Sequence, residues 1–150
     1  MTAEVDESEH RPETWETPRG SLVISQPVTG VMVFTYRGYV TAGAVQLIER
    51  SVDRVLATGV RPDLFIDLGL LTGYDSEYRK AVSAWGARLY HRFGEVRVFV
   101  RSKLVAMGIA VSNLTAGGKL RPTTDRAFFE RMMAEAVARH STPPHAETRH

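Results

Sequence analysis

The chain has 150 residues, 43% of them hydrophobic, a formal charge of +2 and no cysteine. That length suits one globular domain, and the lack of thiols excludes disulfides, thiolate nucleophiles and cysteine-based zinc sites. No apolar run approaches the ~18 residues of a membrane span and no charged-then-apolar leader opens the chain, so a cytoplasmic protein without a membrane span is expected.

The small net charge hides an asymmetry. Residues 1–19 hold Glu4, Asp6, Glu7, Glu9, Glu13 and Glu16 against Arg11 and Arg19, so that stretch is near −4 and the remainder near +6. The cations of the remainder (Arg37, Arg50, Arg54, Arg79, Lys80, Arg88, Arg92, Arg97, Arg101) are scattered rather than blocked, which argues against a nucleic-acid partner. Residues 1–20, polar and broken by Pro12 and Pro18, read as a disordered acidic tail with Trp15 as its one apolar exception. Residues 140–150 read as a second disordered tail, which leaves 21–139 as the domain.

Within the domain the pattern alternates. Leu22–Ser25 and Val31–Tyr36 read as strands separated by Pro27 and Gly30. Thr41 is the expected cap of a helix with the apolar face Ala44, Leu47, Ile48, Val52, Val55 and Leu56, stopped by Gly59 and Pro62. Leu64–Leu68 is a short apolar run without helical period, hence a buried strand. A helix from about Ser76 to Arg92 follows, with Tyr78, Ala81, Val82, Trp85 and Leu89 on one stripe, and then Val96–Val100 as a strand. Ser102 caps an expected helix, LVAMGIAVSNLTA, that is apolar nearly all round and closes at Gly117 and Gly118. Lys119–Arg121 is a short strand, and Asp125 opens a last helix carrying Phe128, Phe129, Met132, Met133, Ala136 and Val137.

The order is β-β-α-β-α-β-α-β-α. Strands joined through helices need crossover connections, so the expected fold is α/β: a mostly parallel or mixed five-stranded sheet covered by helices.

The stretch GYDSE, Gly73 to Glu77, joins the buried strand to the amphipathic helix. Helix N-termini offer free N–H groups and partial positive charge, so Asp75 or Ser76 suits an N-cap and Glu77 complements the dipole. Capping alone accounts for these residue types. Other chemistries fail on spacing. Gly117–Leu120 lacks the earlier glycine and the hydroxyl of a phosphate loop, Gly69 and Gly73 lack dinucleotide spacing, and Ser76 lies three residues after Gly73 rather than two. His91 is the one histidine expected inside the domain, too few for a metal site, and no nucleophile or oxyanion trap accompanies Asp67 and Asp75. No cofactor, no metal and no enzymatic activity are expected.

The element order, Asp67-Leu68 followed eight residues later by Asp75-Ser76, Gly38-Tyr39-Val40-Thr41 before the first helix, and Ser102 with Gly117-Gly118 together resemble the STAS, or anti-sigma-factor antagonist, family and its SpoIIAA-like members. The resemblance spans about residues 22 to 138 and implies a STAS-like fold and a regulatory module that binds other proteins. It places the family's phosphoacceptor hydroxyl on Ser76. Tyr74, Asp75, Ser76, Glu77, Arg79, Lys103 and Met107 are the partner-binding residues it implies, and the partner would be a kinase, an anti-sigma-like protein or a scaffold, with a homodimer as a further arrangement.

Two departures stand out. Glu77-Tyr78 occupies the place of a Ser or Thr followed by Gly, and Gly73-Tyr74 stands where two apolar residues are common. Glu77 would oppose a neighbouring phosphate by like-charge repulsion. The alternative reading is a SpoIIAA-like module that binds a lipid or small molecule, with the apolar helix Leu104–Leu114 walling a pocket instead of docking a partner.

Overall fold

A computed structural model describes residues 11–103, 105–107 and 118–141. Its strands are β1 (Glu13–Thr17), β2 (Gly20–Val28), β3 (Val31–Val40), β4 (Asp63–Tyr74), β5 (Val96–Phe99) and β6 (Leu120–Thr123). Its helices are α1 (Val45–Leu56), led in by a 3-10 turn at Ala42–Ala44, α2 (Ser76–Leu89), continued by a 3-10 turn at Tyr90–Arg92, and α3 (Arg126–Ser141). Of the expected apolar helix only Val105–Met107 are described, in helical conformation like Lys103 just before it. The rest of Leu104–Leu114 lies outside the described residues.

The strands form one mixed sheet in the order β1-β2-β3-β4-β5-β6. The first three pair antiparallel and β3 to β6 pair parallel, as the intervening helices require. Six strands rather than five is a correction, and the extra one is β1 inside the stretch read as a disordered tail. Two contacts recruit it. Trp15 packs against the core, and the Glu13 carboxylate accepts hydrogen bonds from the Ser51 hydroxyl and, at 3.0 Å, from Arg54 Nη1 on α1. Pro18, read as a breaker, sits in the tight hairpin turn, where Thr17 Oγ1 accepts from the N–H groups of Arg19 and Gly20. The last strand, expected at Lys119–Arg121, runs instead over Leu120–Thr123 with Pro122 inside it, which an edge strand allows because one side of its ladder is open.

The sheet separates two apolar layers because successive strand residues point to opposite faces. Leu64 joins α1 and α2 over one face, together with Leu22, Phe34, Ile48, Val52, Trp85 and Phe93. Phe65 joins α3 over the other, with Phe99, Phe129 and Ala136. No described helix is long and apolar enough to cross a membrane.

The C-terminal boundary also needs correcting. α3 runs to Ser141, and His140, expected in a tail, is folded in. Its Nε2 lies 2.9 Å from Asp63 Oδ2, where Arg139 Nη2 also donates at 3.2 Å, while Glu95 N–H donates to Asp63 Oδ1 at 2.6 Å. Asp63 is thus a buried carboxylate that ties the start of β4 to the approach to β5 and the end of α3. Thr41 stands before the 3-10 turn but makes no side-chain cap bond, so the start of α1 rests on its buried apolar face instead.

Candidate functional site

β4 runs six residues beyond the expected Leu68, to Tyr74. Its second half pairs with β3 from Arg37↔Leu70 to Val40↔Tyr74, after one register shift between Thr35 and Arg37 and through another between Gly38 and Tyr39, whereas β5 pairs only with Leu64–Asp67. Gly73 permits this, since a Cβ there would stand 3.2 Å from the Tyr39 ring. The Asp75 N–H then donates to the Val40 carbonyl at 3.2 Å, and the chain turns into α2.

At that turn Asp75 is the N-cap. Its backbone is extended (φ −85°, ψ 164°) and its Oδ1 accepts from the Tyr78 N–H at 2.7 Å. The question left open by the sequence, which of the two residues caps, is therefore answered in favour of Asp75. Ser76 is the first helical residue and is exposed, as are Glu77 and Arg79. Tyr74 is exposed to 45%.

Tyr78 anchors the tip from inside. It is buried, its ring meets Tyr74 edge-on at 6.1 Å between centroids, and its hydroxyl lies 2.6 Å from that of Tyr36 on β3. Burial pushes the Tyr36 hydroxyl up to about 12, against the opposing effect of its bond to Tyr78. Burial pushes Tyr78 up as well, and its proximity to Tyr36 adds to this. Both phenols are neutral at ordinary pH.

Between the second half of β4 and the turn after β5 lies a groove of about 310 Å³, lined by Leu68, Leu71, Tyr74, Val100, Arg101 and Val105 among others. Tyr74 to Arg79 thus gather at one rim with this groove beside them. Lys103 and Met107 do not line it. They border a separate shallow hollow with Pro122 and Thr123, where Met107 is 65% exposed.

Residues that sequence reasoning left out are Leu70, exposed to 46%, and Arg101, which donates to the Gly69 carbonyl at 3.4 Å. Leu70 was hidden because the strand was expected to stop before it. Asp67, half of the eight-residue signature, is held away from the rim by Arg126, whose Nη1 and Nη2 reach its two oxygens at 2.7 and 3.2 Å while the guanidinium stacks on Phe99 at 4.0 Å. It also accepts from the Gly69 N–H at 2.9 Å, so its work is to tie β4 to the start of α3. Among the described residues no group of three or more His, Asp or Glu side chains is arranged to hold a metal.

Against solved structures, the chain is similar to a protein of the DUF3478 family with a SpoIIAA-like fold from Shewanella loihica PV-4, at 16% identity and a TM-score of 0.60 over 84% of this chain and 98% of that one. It is similar to the phosphorylated form of the Bacillus cell fate determinant SpoIIAA, at 16% identity and a TM-score of 0.55 over 74% of this chain and 98% of that one. It also matches an anti-sigma factor antagonist from Mycobacterium paratuberculosis, at 20% identity and a TM-score of 0.48 over 85% of this chain and 100% of that one. No family model and no curated protein matches the chain. The fold is SpoIIAA-like, as the element order implies.

Proposed function

We propose that the protein is a non-enzymatic, cytoplasmic regulatory module that binds a protein partner at the rim formed by the end of β4 and the start of α2, with Ser76 as a phospho-switch. The observation that carries this reading is the placement of Ser76: an exposed hydroxyl at the first position of a helix whose cap is supplied by its neighbour Asp75. Asp75 occupies the capping role, so Ser76 is not needed to hold the helix. The likeness to a SpoIIAA solved in its phosphorylated form supports regulation by phosphorylation.

The physics of such a switch is local. A phosphate on Ser76 adds roughly −1.5 to −2 charge at a helix tip that favours anions. It adds that charge to a contact surface where Tyr74, Leu70 and the groove offer apolar area. Docking there would then meet repulsion and a desolvation cost. Glu77 opposes the phosphate and gives the rim a standing negative charge, which biases the unmodified module toward the switched state.

The test is partner binding by Ser76→Ala and Ser76→Asp chains, using proteins captured from the native lysate together with a phosphosite map. Ser76→Asp is expected to weaken the main complex about tenfold, corresponding to ~1.4 kcal/mol, with Ser76→Ala near the parent. Equal affinities for every partner would end the switch reading. The apolar lining of the groove supports a second reading, a lipid or small-molecule site. Native mass spectrometry separates the two, since a co-purifying lipid favours the second and a stoichiometric protein the first.

A further inference from the structure

The end of the sheet opposite Ser76 carries a second groove. It lies between the last turn of α1 and the 3-10 turn at Tyr90–Arg92, has a volume of about 390 Å³, and is lined by Leu56, Gly59, Val60, Arg61, His91 and Arg92. Arg61, His91 and Arg92 are all exposed. Among the described residues no carboxylate stands within ion-pair distance of any of the three. Arg61 Nη1 spends one bond, of 3.1 Å, on the His91 carbonyl, which holds the two together across the groove. α1 itself is mixed in charge, with Glu49 and Asp53 beside Arg50 and Arg54, so the cationic excess belongs to the groove.

We propose that this groove is covered by the acidic segment of residues 1–10 of the same chain, MTAEVDESEH. Three observations point to that occupant. The first is charge: the segment holds Glu4, Asp6, Glu7 and Glu9 with no Lys or Arg, the complement of a groove built from two arginines and a histidine.

The second is where the chain emerges. β1 and β3 are each antiparallel to β2, so β1 runs in the direction of β3, and α1 returns from the end of β3 to the start of β4. The start of β1 therefore faces the same end of the molecule as Leu56 and Gly59. An extended chain spans at most ~3.3–3.6 Å per residue, which lets Glu9 and Glu7 travel on the order of 13–20 Å from Glu13. Arg54 to Gly59 covers five residues near the end of a helix that rises ~1.5 Å per residue, so the groove is within range.

The third is continuity with an interface already formed. Glu13 pairs with Arg54 Nη1 at 3.0 Å and with Ser51 on α1, just before the turn that leads to the groove. Pairing of the preceding carboxylates with Arg61 and Arg92 extends the same acidic-on-basic contact. Exposed ion pairs of this kind are individually weak and screened by salt, so the contact opens readily as ionic strength rises. The inference is independent of the Ser76 reading, since it concerns the other end of the sheet.

The absence of native cysteine supplies the test. In the full-length chain, Ala3→Cys takes a single nitroxide spin label, and relaxation enhancement is read on the backbone amides. At low salt the amides of Gly59, Val60, Arg61 and His91 are expected to broaden strongly, and those of Ser76–Leu89 to stay sharp. Broadening at the groove should fall at least about threefold in Arg61→Glu/Arg92→Glu and in ~1 M salt, where the screening length is ~3 Å. Both arginines are exposed, and unchanged α2 amide positions confirm that the variant is folded. Broadening centred on the Ser76 rim, spread evenly over the surface, or unaffected by the charge reversal overturns the proposal.

Discussion

Asp63 is the polar residue whose removal should cost the fold most. Its side chain is 8% exposed and accepts three hydrogen bonds, from the Glu95 N–H at 2.6 Å, His140 Nε2 at 2.9 Å and Arg139 Nη2 at 3.2 Å. In Asp63→Ala the Glu95 N–H loses its partner inside the protein, which costs about 1–3 kcal/mol. The His140 ring, on a side chain only 23% exposed, loses its acceptor and adds roughly 1 kcal/mol. Arg139 is half exposed and can rehydrate, so its loss adds only tenths of a kcal/mol. The sum is about 3 kcal/mol, a large share of the 5–15 kcal/mol that holds a typical domain.

Asp63→Asn keeps the volume and an acceptor for the Glu95 N–H, so about 1 kcal/mol is expected for it. Gly94→Ala attacks the same knot from the other side, because its Cβ would stand 2.2 Å from Asp63 Oδ1. Urea unfolding followed by the fluorescence of the buried Trp85 measures all three. An Asp63→Ala chain within about 0.5 kcal/mol of the parent, the ordinary range of surface substitutions, would refute the idea that this carboxylate is a structural hub.

Two further outcomes concern pH. Burial raises the phenols of Tyr36 and Tyr78, so the folded chain holds their protons more tightly than the unfolded one. Their stabilisation is complete below the ordinary tyrosine range and is lost as pH rises through about 12 for Tyr36; tyrosinate absorbance should show both ionising only with unfolding, and early ionisation of either would contradict their burial. At Glu13, burial pushes the carboxyl up, but hydrogen bonds from Ser51 and Arg54 and the charges of Arg54 and Arg50 outweigh it and hold it below its usual value. The docking of β1 is therefore strongest above the ordinary carboxylate range and weakens as pH falls through the folded value; hydrogen exchange at Trp15 should accelerate there in the parent, and Glu13→Gln should remove that acid step.

The site was partly legible. Asp75-Ser76 announced a helix tip because a carboxylate and a hydroxyl before an apolar 3.6-residue stripe have few other uses. Their division of labour was not visible, since either side chain can cap and only the 2.7 Å bond to the Tyr78 N–H assigns the role to Asp75. Leu70 and the groove were missed because Gly69 and Gly73 resemble the end of a strand. In the sheet those glycines instead make room, Gly69 beside Arg126 and Phe99 and Gly73 beneath the Tyr39 ring.

Periodicity carried the fold class. Strands of alternating or continuous apolar residues, separated by amphipathic helices, admit few arrangements once crossovers must bury both faces of a sheet, and this information is local to each segment. The partners that are distant in sequence were decided by tertiary structure alone. β1 is a strand because Trp15 and Glu13 find α1, His140 belongs to the domain because Asp63 lies 77 residues upstream, and Asp67 is structural because Arg126 lies 59 residues downstream. Each of those side chains is polar or set in a polar stretch, so nothing in its own neighbourhood names its partner. Only the folded chain brings it the opposite charge or the apolar surface that holds it in place.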